Sequence, residues 1–202
     1  MGSRALSRLC SRVELPETVE LPVDRSVIIA ANHSSLFDLV ASLIVLGNYG
    51  VNARLAVNER FFANPVGGWF LRGIGSIPFS RENREAAELT MVEALQAGQA
   101  CAMMPEGKIV REPDQIGGVG EGRPGISRVA RLSGAAVLPV GFAYSEQAWK
   151  PGRPLPRVAN FGRPVIARLG SPMTLDSAND AANSNAVMEA ISELVLTGRA
   201  TR

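Results

Sequence analysis

The sequence predicts an α/β fold: a mostly parallel central sheet flanked by helices, in a single domain. Three observations carry that expectation. Short apolar runs at 27–31, 52–57, 99–104 and 135–144 have the length and composition of buried strands. Helical segments at 39–46, 82–97, 125–133 and 185–196 alternate with them, and those at 82–97 and 185–196 repeat their apolar residues at helical spacing. Two of the strands end abruptly in polar clusters, Asn32-His33-Ser34-Ser35 and Pro105-Glu106-Gly107-Lys108. Polar chemistry at the carboxyl ends of strands is where open α/β sheets build their sites.

Composition narrows the function. A chain of 202 residues suits one domain with a substantial core. Residues 1–12 are set apart as a basic amphipathic or frayed terminus, and residues 13–202 form the domain. The net charge of +2 is too small to argue for nucleic acid. One histidine and two cysteines, Cys10 and Cys101, leave no metal constellation and no disulfide framework. Cys101 lies in an apolar run and reads as a small buried hydrophobe. No apolar run reaches the roughly 18–20 residues that span a bilayer, and the first thirteen residues lack the apolar core of a signal peptide. These features fit a cytoplasmic protein, soluble or peripheral.

Taken in order, Arg4, Arg8 and Arg12 would share one face of a short N-terminal helix that could lie on anionic lipid. Residues 13–22 alternate as an edge strand does, bounded by Pro16 and Pro22. The run 27–31 then delivers His33 to the start of a helix, with Asp38 one turn inside it. Two readings of this stretch stand side by side. Ser35 and Asp38 fit a capping box, which needs no chemistry. A histidine beside a carboxylate also suits a general base, provided that His33 sits in the turn before the helix. Gly47 is expected to end that helix.

Residues 59–72 concentrate Phe61, Phe62, Trp69 and Phe70 beside arginines. They read either as core beneath a loop or as a wall facing an acyl chain or a membrane. Ser80 is expected to cap the helix 82–97, putting Arg81 at a helix start, where an anion can meet both the guanidinium and free N–H groups. Residues 110–121, rich in glycine and charge, read as a mobile loop or lid. No dinucleotide fingerprint, phosphate-binding P-loop or Gly-x-Ser-x-Gly nucleophile occurs. Residues 158–169 supply one or two late strands, and a helix at 185–196 closes the chain with Val187, Met188, Ile191, Leu194 and Val195 on one face.

Four stretches, in order, resemble the motifs of the glycerolipid acyltransferase family. Asn32-His33 with Asp38 resembles the first, and Gly75-Ser76-Ile77-Pro78-Phe79-Ser80-Arg81 the second. Pro105-Glu106-Gly107 resembles the core of the third, and Val137-Leu138-Pro139-Val140 the fourth. Together they span about residues 15–167. After the third glycine the family usually has threonine and arginine, where this chain has Lys108 and Ile109. The resemblance implies transfer of a fatty acyl group from acyl-CoA or acyl-ACP to the hydroxyl of a lysophospholipid, with 1-acyl-glycerol-3-phosphate the leading acceptor. It gives His33 the role of general base, oriented by Asp38. Arg81, Glu106, Gly107 and Lys108 would hold the acceptor and its phosphate. No cofactor beyond the thioester and no metal is implied. Peripheral association with the inner face of a membrane would follow. A different acceptor, a thioesterase using His33 to activate water, and a non-catalytic lipid-binding homologue remain open alternatives.

Overall fold

The computed structural model describes residues 13–15, 26–150, 152–153 and 164–201. The basic terminus 1–12, the segment between the two N-terminal prolines and residues 154–163 of the late-strand region lie outside the described residues. Among them, the strands are β1 (Val13–Glu14), β2 (Val27–Ala31), β3 (Ala53–Asn58), β4 (Ile77–Phe79), β5 (Ala100–Met103), β6 (Ala136–Ala143) and β7 (Val165–Leu169). The helices are α1 (Phe37–Asn48), α2 (Pro65–Gly73), α3 (Arg84–Gln96), α4 (Gly125–Ser133), α5 (Ser145–Ala148) and α6 (Asp180–Ala200). The strands form one sheet in the order β1-β7-β6-β2-β5-β3-β4, and every adjacent pair is parallel except β6 with β7.

Strand β2 lies between β5 and β6, and all five of its residues are buried. Its pleat sends Ile28 and Ala30 to one face and Val27, Ile29 and Ala31 to the other. The first face packs on α3, α4 and α6 through Met91, Leu95, Ile126, Val129, Val187 and Ile191. The second packs on α1 through Phe37, Ala41 and Val45. Two covered faces require an apolar run rather than an alternating one, which is why β2 reads as it does in the sequence. Because β2, β3, β4 and β5 run parallel, the segments that follow them leave along one rim of the sheet. His33, Glu59, Arg81 and Glu106 sit just past those strand ends.

Several boundaries differ from the sequence expectation. Gly47 does not stop α1; the helix runs on to Asn48, and Gly50 takes the left-handed turn at φ 66°. Ser80 does not cap a helix at 82. Its hydroxyl accepts from the Asn83 N–H while Asn83 Oδ1 accepts from the Ser80 N–H, so the pair closes a small loop and α3 starts at Arg84. Arg81 therefore lies in that loop, outside the helix. Residues 59–73 form a 3-10 turn (Glu59–Ala63) and then α2, capped by Asn64, whose side chain accepts from the N–H groups of Val66 and Gly67. The Asn64-Pro65 pair carried the signal for that start. No described helix is long and apolar enough to cross a membrane.

Candidate active site

The site begins with the way β2 ends. Asn32 is fully buried, and its side chain pairs with the backbone of β6: Oδ1 accepts from Phe142 N–H at 2.7 Å and Nδ2 donates to Phe142 O at 3.0 Å. This amide does the work of one more strand residue and lets the main chain turn away. Three donors then converge on Oδ2 of Asp38. They are the backbone N–H groups of Ser34 and Ser35, each at 2.7 Å, and His33 Nδ1 at 3.1 Å. Ser35 Oγ accepts from the N–H of Phe37 and donates to Trp149 O.

The capping pattern is built only in part: the N-cap of α1 is Leu36, which makes no side-chain cap bond, and Ser35 Oγ takes the N–H of Phe37 in place of that of Asp38. Asp38 reaches back to the free N–H groups before the helix, as in a capping box, and the same oxygen meets the imidazole. His33 does sit in the turn preceding α1, which is what brings ring and carboxylate together despite their five-residue separation. An ionised carboxylate can only accept, so the Nδ1–H tautomer is assigned and Nε2 keeps its lone pair. Asp38 is wholly buried, while the His33 side chain is 19% exposed. The imidazole is held on one edge and accessible to solvent.

Glu106 lies where its motif places it, just past the carboxyl end of a buried strand. It follows β5, beside β2, in a turn closed by the Gly107 N–H on Met104 O. Its carboxylate is 2% exposed, and both oxygens are engaged. One accepts from His33 N–H at 2.5 Å, the other from Gly120 N–H at 2.7 Å. Burial pushes its pKa above the usual carboxylate range, against the lowering effect of those two N–H groups. Glu106 is therefore a bracket that fixes the backbone of His33, with each oxygen on a main-chain donor. The loop 110–121 is fastened rather than free. Val110 N–H donates to His33 O at 2.8 Å, Ser192 Oγ donates to Gly117 O, and Val110 and Val119 are buried.

Gly107 takes φ 65°, and Lys108 is exposed beside it with no ion pair among the described residues. Arg81 is exposed at the far end of the rim, past β4 and three strands from β2. Of the four aromatics, Trp69 is 76%, Phe70 44% and Phe61 37% exposed. Phe62 is the exception: it is buried, with the Arg72 guanidinium over its ring, so it is packing and faces no membrane. One residue escaped the sequence reading. Arg123 lies against Gly107, its Nε donating to Glu106 O at 3.1 Å. No local pattern marks it, because the contact closes across a sixteen-residue loop.

A family model described as Acyltransferase matches residues 12–143. Among solved structures, the chain is similar to the crystal structure of the 1-acyl-sn-glycerophosphate (LPA) acyltransferase, PlsC, from Thermotoga maritima. The two are 25% identical with a TM-score of 0.71, over 98% of this chain and 77% of that one. No curated protein sequence matches.

Proposed function

The chain belongs to the acyltransferase family, and on that premise we propose that it moves a fatty acyl group from acyl-CoA or acyl-ACP to the hydroxyl of a lysophospholipid, 1-acyl-glycerol-3-phosphate first among the candidates. The observation that carries the reading is the His33 Nδ1–Asp38 Oδ2 contact of 3.1 Å, made at the carboxyl rim of the sheet with the ring still accessible. Nε2 takes the proton of the acceptor hydroxyl as its oxygen attacks the thioester carbonyl. Asp38 holds the tautomer and stabilises the imidazolium that forms. Collapse of the tetrahedral intermediate breaks the carbon–sulfur bond, and the imidazolium returns the proton to the departing thiolate. The products are an ester and a free thiol. The reaction passes through no acyl-enzyme and uses no cofactor beyond the thioester.

A lipid acceptor has to be reached in its own phase. Val66, Trp69 and Phe70 give α2 an outer face that is more apolar than a water-exposed helix needs, at 77%, 76% and 44% exposure. Phe61 and Arg60 adjoin it, with the guanidinium over the phenyl ring at 4.8 Å. This face follows β3 from the rim that also carries His33, so the same side of the molecule would meet a membrane surface at the inner leaflet.

The test is to incubate purified protein with acyl-CoA or acyl-ACP and a panel of lysophospholipids, and to identify products by mass. Ester formation that depends on an added acceptor is expected. His33→Ala protein should stay folded and lose transfer by at least about 10²–10⁴-fold. Thioester loss at equal rates with and without acceptor would mean a thioesterase. Wild-type activity in His33→Ala would remove the assigned base.

A further inference from the structure

Arg123 is an exposed arginine held as if it were a core residue. Its N–H donates to Pro105 O at 3.0 Å, and its carbonyl accepts from Ser184 Oγ at 3.1 Å. Its Nε is tied to Glu106 O, and its Cδ lies over Gly107, so close that a Cβ there would stand 3.2 Å from it. The two terminal amino groups have no partner among the described residues, and no described carboxylate pairs with them. The residue whose carbonyl Nε meets, Glu106, spends both of its carboxylate oxygens on backbone N–H groups.

An arginine side chain ordinarily gives up much rotamer freedom when it grips a ligand; this one has already been ordered by the fold. What it offers is a fixed, uncompensated fork of donors, the geometry that suits a phosphate. Its position matters equally. Arg123 and the His33 backbone are clasped to the same residue, Glu106, whereas Arg81 stands past a strand three places from β2, about 14 Å at normal strand spacing. In a glycerol phosphate the reacting hydroxyl and the phosphate are separated by only a few bonds.

We propose that Arg123 binds the phosphomonoester of the acyl acceptor through the terminal amino groups of its guanidinium. This rests on the acyl-transfer reading above. The donor also carries phosphate, so the experiment separates the two sources. Wild type, Arg123→Gln and Arg123→Lys are titrated calorimetrically with sn-glycerol 3-phosphate and with free coenzyme A. Acyl-transfer KM is measured for phosphorylated and for neutral lyso-acceptors. Arg123→Gln should weaken glycerol 3-phosphate binding by about tenfold or more, with partial recovery in Arg123→Lys and unchanged coenzyme A binding. KM should rise for the phosphorylated acceptor only. Two of the residue's fastenings are through its backbone and survive both substitutions, and equal urea midpoints would verify that. Equal binding by wild type and Arg123→Gln, no binding by wild type, or a loss confined to coenzyme A would each overturn the proposal. Arg123-dependent binding without acyl transfer would overturn the reaction and leave the anion subsite standing.

Discussion

Substituting Glu106 distinguishes a bracket from a ligand contact. The carboxylate is 2% exposed and takes the N–H groups of His33 at 2.5 Å and Gly120 at 2.7 Å. Alanine would leave two buried donors unmatched, at about 1–3 kcal/mol each, so the loss is about 2–6 kcal/mol less whatever is recovered by no longer burying a carboxyl group. Against a typical total of about 5–15 kcal/mol, that variant sits close to unfolding. Glutamine keeps the volume and one acceptor but turns an amide nitrogen toward the other N–H, so its loss is about 1–3 kcal/mol. The assay is the urea midpoint, followed by circular dichroism, together with steady-state transfer kinetics. Glu106→Gln should lower both the midpoint and kcat, because the His33 backbone loses an anchor, while the acceptor KM stays within about twofold. A glutamine variant of wild-type stability whose acceptor KM rose about tenfold would refute this reasoning and make the carboxylate an acceptor contact.

Asp38→Asn can keep an oxygen in the place of Oδ2 for Ser34, Ser35 and His33 Nδ1 but removes the negative charge that stabilises the imidazolium; kcat should fall by about 10²–10⁴-fold with a much smaller effect on the urea midpoint. Burial raises the folded pKa of Glu106, so the folded chain binds that proton more tightly than the unfolded one. Its contribution to stability is accordingly greatest below the ordinary glutamate value of about 4.3 and falls as pH rises from there through the raised pKa; the midpoint difference between wild type and Glu106→Gln should shrink across that window. Gly68→Ala would set a Cβ 2.2 Å from Phe62 O and should destabilise by roughly 1–3 kcal/mol, whereas Gly67→Ala, with nothing nearer than 3.4 Å, should stay within about 0.5 kcal/mol in the same unfolding measurement. The Cys101 thiol is pushed up to about 11 by burial, so about one molecule in a thousand carries the thiolate at pH 8; in a Cys10→Ser background, a thiol reagent should react only after urea unfolding.

Most of the sheet and its helices were legible from length and apolar pattern, β2 as a short β-branched run ending in a polar cluster, whereas α2 was not read as a helix. The His33–Asp38 pair was legible in part: the residues lie close in the chain, and a capping pattern is a local signal. A local signal failed at one glycine boundary, although Gly134 ends α4 as such a residue should. Gly47 has a helical neighbourhood on both sides and simply continues α1, while Gly50 makes the turn. The role of Glu106 was hidden because its two donors, His33 and Gly120, approach from opposite directions along the chain. Arg123 was hidden for the same reason, its partner being reached across a loop. The loop's own glycines suggested mobility, yet a backbone bond to His33 and the Ser192 hydroxyl of α6 on Gly117 O fasten it, and contacts so distant in the chain leave no trace in the local sequence.

The amide of Asn32 has a consequence for how this stretch can change over time. It must offer a donor and an acceptor at once, on a side chain of one length, to stand in for a rung between two strands. Aspartate brings no donor, leucine neither partner, and glutamine one methylene too many. Under the proposed mechanism, a gene duplicate released from catalysis would be free to lose its histidine and would still be held to the asparagine, which answers to the architecture alone.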